Sequence, residues 1–138
     1  MQVAAMPEYA HEFLRSARIG TVVRGGDPWP NAVPVWYHWT GEVIEFFTQP
    51  GRPKVRHIAQ DPNLAMVVSA NADEPPYWVA VEGTAVLSND GSELVEKMCD
   101  RYLDDSKGSR SLRESLMAGR EQVVKVTIVP DRVRHFVS

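Results

Sequence analysis

The sequence predicts a mainly β protein: a small antiparallel barrel with short helices packed outside it. Three observations carry that prediction. Five or six segments of strand length are rich in β-branched and aromatic residues. The turns between several of them are short and marked by glycine, proline or aspartate, as in "GGDP" and "TGE", which suits antiparallel pairing. The helical segments among them are short.

Taken in order, Pro7 with Tyr9, Ala10, Phe13 and Leu14 predicts a short amphipathic helix over 7–17. "RIGTVVR" (18–24) is β-rich and ends at "GGDP". "NAVPVWYHW" (31–39) is a second strand, and "TGE" returns it into "VIEFFT" (43–48), so the three make a meander. Pro34 cannot donate to a ladder, which puts its strand at an edge, at a bulge or against a ligand. A turn and a helix beginning at Pro53 follow, then the apolar strand "NLAMVVSA" (63–70). After the loop "ADEPP" comes "YWVAVEGTAVLS" (77–88), whose Gly83 marks a bulge or bend of the kind that closes a barrel. "SELVEKMCDRYL" (92–103) is a helix with Leu94, Val95, Met98, Cys99, Tyr102 and Leu103 on its apolar face. A polar loop, "DDSKGSR", and a helical piece, "SLRESLMAG", lead to strands at 122–130 and 132–138. No repeat, low-complexity tract or linker divides residues 1–138, so one domain is expected.

A chain of 138 residues buries about two-thirds of its unfolded surface and needs no staple. With 43% hydrophobic and 24% charged residues and a net charge of −3, it lacks the basic footprint of a nucleic-acid binder. Cys99 is the single cysteine, which excludes an internal disulfide and a cysteine-rich zinc site and makes a reducing compartment the expectation. No apolar run approaches the roughly 18 residues of a membrane span, and the N-terminus lacks a basic-then-apolar leader. A soluble, cytoplasmic protein is expected.

The most informative stretch is "TQPGRPKVRHIAQDP" (48–62). Arg52, Lys54 and Arg56 crowd a helix start with no acid in the first turn. A helix N-terminus is itself partly positive, so each exposed cation there costs about 0.3–1 kcal/mol. A bound phosphate would remove the conflict, because free first-turn N–H groups, the Thr48 hydroxyl and basic side chains together make an anion site. The competing reading is a solvated charged turn.

Other features carry less. Trp36, Tyr37, His38 and Trp39 follow Pro34, and Trp78 lies on the long later strand. Strand aromatics are usually core, although tryptophans can also wall a flat heterocycle. Backbone groups near residues 33–36, on an edge strand, are open to such a ligand. His11, His38, His57 and His135 show no metal spacing. Glu82, an acid in an apolar strand, is expected to pair with an arginine or to point outward. Neither a G-x-S-x-G elbow nor a dinucleotide or P-loop fingerprint is present.

The succession "NAVPVWY", a strand ending "FFT", "GRPKVRHIAQDPNLAMVV" and "VAVEGTAVL" resembles the pyridoxamine 5'-phosphate oxidase-like split β-barrel family over roughly residues 10–130. The resemblance implies a six- to seven-stranded antiparallel split barrel with flanking helices. It also implies a homodimer that binds flavin-type cofactors at the subunit interface. The backbone of Val33, Pro34, Val35 and Trp36 would then face the ring system. Thr48 and Lys54 would meet the phosphate, with Arg52 and Arg56 as charged neighbours, and Val55 and Trp78 complete the expected cofactor-binding set. His57 stands where many members carry asparagine, Pro53 where the oxidases often carry arginine, and their C-terminal substrate segment is missing. Those departures argue against pyridoxamine phosphate oxidation. "KVRHIAQDP" looks more like the branch that uses the deazaflavin F-420, with FMN the other choice.

The expectation is therefore a flavin- or deazaflavin-dependent oxidoreductase that passes hydride to or from a small organic substrate. No side chain stands out as an obligatory acid or base. A non-catalytic flavin- or haem-binding protein is the alternative, and a structural barrel whose basic turn docks an acidic partner is a third possibility.

Overall fold

In the computed structural model, which describes residues 1–137, a single 3-10 turn (Val3–Ala5) precedes Pro7, the N-cap of α1 (Glu8–Arg15). The chain then runs through β1 (Gly20–Arg24), β2 (Asn31–Val35), β3 (His38–Trp39), β4 (Ile44–Thr48), α2 (Pro53–Gln60) and β5 (Asn63–Ser69). It continues through β6 (Trp78–Ser88), α3 (Ser92–Tyr102), α4 (Lys107–Ala118) and β7 (Val124–His135). Among the described residues, seven strands form one sheet in the order β2-β1-β5-β6-β7-β4-β3, with every pairing antiparallel. The sheet curls into a split barrel whose edges are β2 and β3, so Pro34 does lie on an edge strand.

Alternation fixes which residues point inward. Val22, Ile44, Phe46, Leu64, Met66, Val68, Val79, Val81, Val126 and Ile128 are buried and close around one core. Ile58 is the buried residue of α2 and pins that short helix to the core, a burial of about 1.5–3 kcal/mol. Val95, Cys99 and Val123 form a smaller cluster outside the sheet, against which Phe47 packs. Burial pushes the Cys99 thiol pKa up, in keeping with a packing role.

Three expectations change. The strand expected over 31–39 is two strands, broken at Trp36–Tyr37 and sent to opposite edges of the sheet. The break has a tertiary cause: Tyr37 is buried, and its hydroxyl donates to the Leu14 carbonyl at 2.9 Å. Tyr102 of α3 holds the same corner, accepting the Tyr37 N–H at 3.2 Å and donating to the Arg18 carbonyl at 2.7 Å. The two strands expected over 122–130 and 132–138 are one, β7, and Ser138 lies outside the described residues. Pro130 sits opposite Gly83 at a register shift that leaves Asp131 as the extra residue, so β7 runs on past its proline. Finally, the polar stretch 104–110 already contains the start of α4, because the Ser106 hydroxyl caps it by accepting the Ser109 N–H at 3.3 Å. Among the described residues, no helix is long and apolar enough to cross a membrane.

Candidate functional site

The open seam of the barrel holds a cleft of about 530 Å³. Arg24, Asn31 and Val33 wall one side, from β1 and β2; Phe47, Thr48 and Gln49 wall the other, at the end of β4. Arg52, Pro53 and Lys54 close it at the start of α2. Strand parity explains the first wall: Gly20, Val22 and Arg24 share a face, Val22 is core, and Arg24 pairs with Asn31 across the ladder. On the other wall, β3 is only two residues long and pairs with Glu45 and Ile44, so Phe46–Thr48 lack a partner on that side. Gly51, at φ +76°, supplies the left-handed turn that brings α2 over the cleft.

The electrostatics are one-sided. Arg24, Arg52 and Lys54 are the charged residues of the lining, which contains no carboxylate, histidine or tyrosine. Burial, with the charges of Arg24 and Arg52 behind it, lowers the Lys54 pKa. The first turn of α2 contains no acid, and the Arg52 N-cap makes no side-chain hydrogen bond. The Nε of Arg24 is buried without a hydrogen-bond partner. These donors fit an oxyanion: a phosphate would accept from a guanidinium fork, an ammonium and a hydroxyl.

A second groove, of about 520 Å³, runs past Arg24 to Asn63, Glu82 and Arg132. It carries two acids, Glu82 and Asp131, which disfavour an anion there; Glu82 accepts from Arg132 Nη2 at 2.9 Å and Arg134 Nε at 2.6 Å, which holds its carboxyl below the usual range. We therefore assign the anion chemistry to the seam.

Of the expected site residues, the structure brings Val33, Thr48, Arg52 and Lys54 together in this cleft. Pro34 is exposed on β2, and Val35 packs against the core edge. Trp36 lies just past β2, its ring stacked on Tyr102 with centroids 5.1 Å apart. Val55 is half-buried and Arg56 exposed on α2, both outside the lining. Trp78 opens β6 opposite Ser69, with the Arg134 guanidinium 5.9 Å above its ring. Arg24 and Asn31 were missed by reading motifs. The available signal was an arginine on the inward parity of an otherwise apolar strand.

Among the described residues, no group of three histidine, cysteine or acidic side chains is placed to hold a metal ion.

No curated protein is similar enough in sequence to count as a match. Solved structures are similar in fold. An F-420 reductase is 24% identical with a TM-score of 0.72, the match covering 94% of this chain and 98% of that one. General Stress Protein 26 of Bacillus anthracis is 20% identical with a TM-score of 0.71, covering 94% and 92%. The FAD and haem binding protein of Mycobacterium smegmatis is 18% identical with a TM-score of 0.68, covering 96% and 71%. A family model described as pyridoxamine 5'-phosphate oxidase matches residues 6–134, a span that takes in all the residues lining the seam. On that match, the chain belongs to the pyridoxamine 5'-phosphate oxidase family.

Proposed function

We propose that this protein is a cytoplasmic homodimeric oxidoreductase that binds F-420 or FMN at the seam and passes hydride to or from a small organic substrate. The observation that carries the reading is the acid-free cationic lining at the end of an edge strand. Its support from relatives is the flavin-type character of the family and the likeness to an F-420 reductase.

The chain's own work is binding and orientation. Thr48, Arg52 and Lys54 hold the phosphate, and Arg56 adds long-range charge. The backbone from Val33 to Trp36, along β2 and just past it, presents polar groups to the ring edge, and the outer edge of β2 is free because that strand has one neighbour. Val33 and Phe47 keep water from the inner side. A bound flavin or deazaflavin supplies the redox chemistry. A second copy of the chain completes the ring's surroundings, with Trp78 and Val55 as further cofactor contacts.

Titration with FMN and F-420 side by side tests the reading, followed by oxidation of the reduced cofactor with a panel of quinones and enones. One cofactor is expected to bind at micromolar concentration or tighter, two per dimer by sedimentation, and to turn over. No binding of either compound overturns the proposal. Binding without turnover favours a second reading, a non-catalytic flavin or haem carrier. The lack of any carboxylate, histidine or tyrosine in the cleft lining supports it, as does the likeness to a protein named for FAD and haem binding.

A further inference from the structure

The arginines of this protein are sorted by their partners. Arg15, Arg18, Arg113, Arg120, Arg132 and Arg134 each stand within salt-bridge distance of a carboxylate. Arg101 spends its Nη donors on the carbonyls of Leu14, Arg15 and Ser16, and its Nε alone is left buried without an acceptor. Arg24 does neither. It is half-buried, it makes no hydrogen bond or ion pair among the described residues, and its Nε is shut away from solvent with no acceptor. A buried donor left unmade is costly, and a guanidinium makes its strongest bonds as a planar fork to an oxyanion. Asn31, its partner across the β1–β2 ladder, faces the same cleft with an amide. Lys54 lies near enough for the two positive charges to disturb each other. Two cations held that close, with no acid in the lining, fit a shared anion between them.

We propose that Arg24 is a direct phosphate ligand and sets the preference for phosphorylated over phosphate-free forms of the ring compound. Arg24 also borders the 520 Å³ groove and a third one, of about 250 Å³, lined by Gly26, His57 and Asp61. It thus stands at the point where the seam opens toward both. The inference rests on the flavin-type reading above.

The experiment is a double comparison. Wild type, Arg24→Gln, Arg24→Lys and a surface control, Arg110→Gln, are titrated with FMN and riboflavin. F-420 and its phosphate-free deazariboflavin core serve as the second pair. Circular dichroism establishes that each variant is folded. A charge-assisted bond implies that Arg24→Gln weakens the phosphorylated ligand by roughly tenfold or more while the phosphate-free one changes less than about twofold. Arg24→Lys, which keeps charge but not the fork, falls between, and Arg110→Gln matches wild type. If folded Arg24→Gln keeps the wild-type ratio, Arg24 is no phosphate ligand although the cofactor reading stands. If wild type binds none of the four compounds, the cofactor reading itself falls and takes this inference with it. Should Arg24→Gln not fold, Arg24→Lys decides alone: an unchanged ratio overturns the proposal and a reduced one supports it.

Discussion

Lys54 carries its charge at a cost. Burial and two nearby guanidinium groups make it easier to deprotonate than a free lysine, so the cluster of cations is electrostatically unfavourable by itself. Lys54→Met should therefore have opposite effects on binding and on stability. Affinity for FMN or F-420 is expected to fall by roughly tenfold or more, since a hydrogen bond to a charged group is worth about 1.5–3 kcal/mol. The melting temperature of the ligand-free protein is expected to stay level or rise. Arg56→Ala, two residues on but exposed and outside the lining, should change affinity less than about threefold, a few tenths of a kcal/mol of surface electrostatics. Calorimetric titration of both variants checks the contrast; equal losses would remove the distinction between lining and rim. Thr48, Arg52 and Lys54 were legible because they lie within a few residues of one another and break a local helix rule. Arg24 was not, because its role depends on a strand register that places it opposite Asn31 and beside a helix 30 positions further along.

Among the elements, β6 shows what a single backbone position decides. Gly83 lies at the register shift against β7, and a Cβ there would overlap the Val129 carbonyl oxygen. Gly83→Ala must push two backbones apart, an overpacking cost of about 1–3 kcal/mol. A loss of several degrees in melting temperature is expected, while Gly25→Ala, with open space around its Cβ, should melt close to wild type. Scanning calorimetry of the pair tests this. The bulge was legible from a glycine inside an alternating strand. The break between β2 and β3 was not, since the residues from Val35 to Trp39 all suit a strand. What ends β2 is a phenol 65 positions away in sequence, Tyr102, which bonds both sides of the corner's backbone. Propensity is silent about such a partner.

For the molecule as a whole, acid is the informative perturbation. The loop before β6 is tied to the start of β1 by a two-pronged pair between Arg18 and Glu74, and Arg18 is only 10% exposed. That pairing holds the Glu74 carboxyl at about 2, well below its ordinary 4.5. A carboxylate with a depressed pKa contributes stability that is complete above 4.5 and disappears as the pH falls toward 2. Melting temperature should therefore drop across that window, and Glu74→Gln should flatten part of the drop while lowering stability at neutral pH. Melts of both proteins at a series of pH values measure it; identical slopes would count against the pair. The overall architecture was legible because alternation and turn chemistry repeat along the whole chain. Sheet order was not, since β1 beside β5 and β4 beside β7 are choices of topology.

That order has a consequence for how the protein would respond to an anion bound in the seam. Arg24 and Asn31 sit at one end of the hydrogen-bonded succession of strands, Thr48 near the other, and no backbone ladder joins them. An anion gripped from both sides acts as a buckle on a belt, linking margins that the polypeptide leaves unfastened. Occupancy then resists uncurling of the entire sheet, and heat resistance becomes a gauge of how much buckle is in solution.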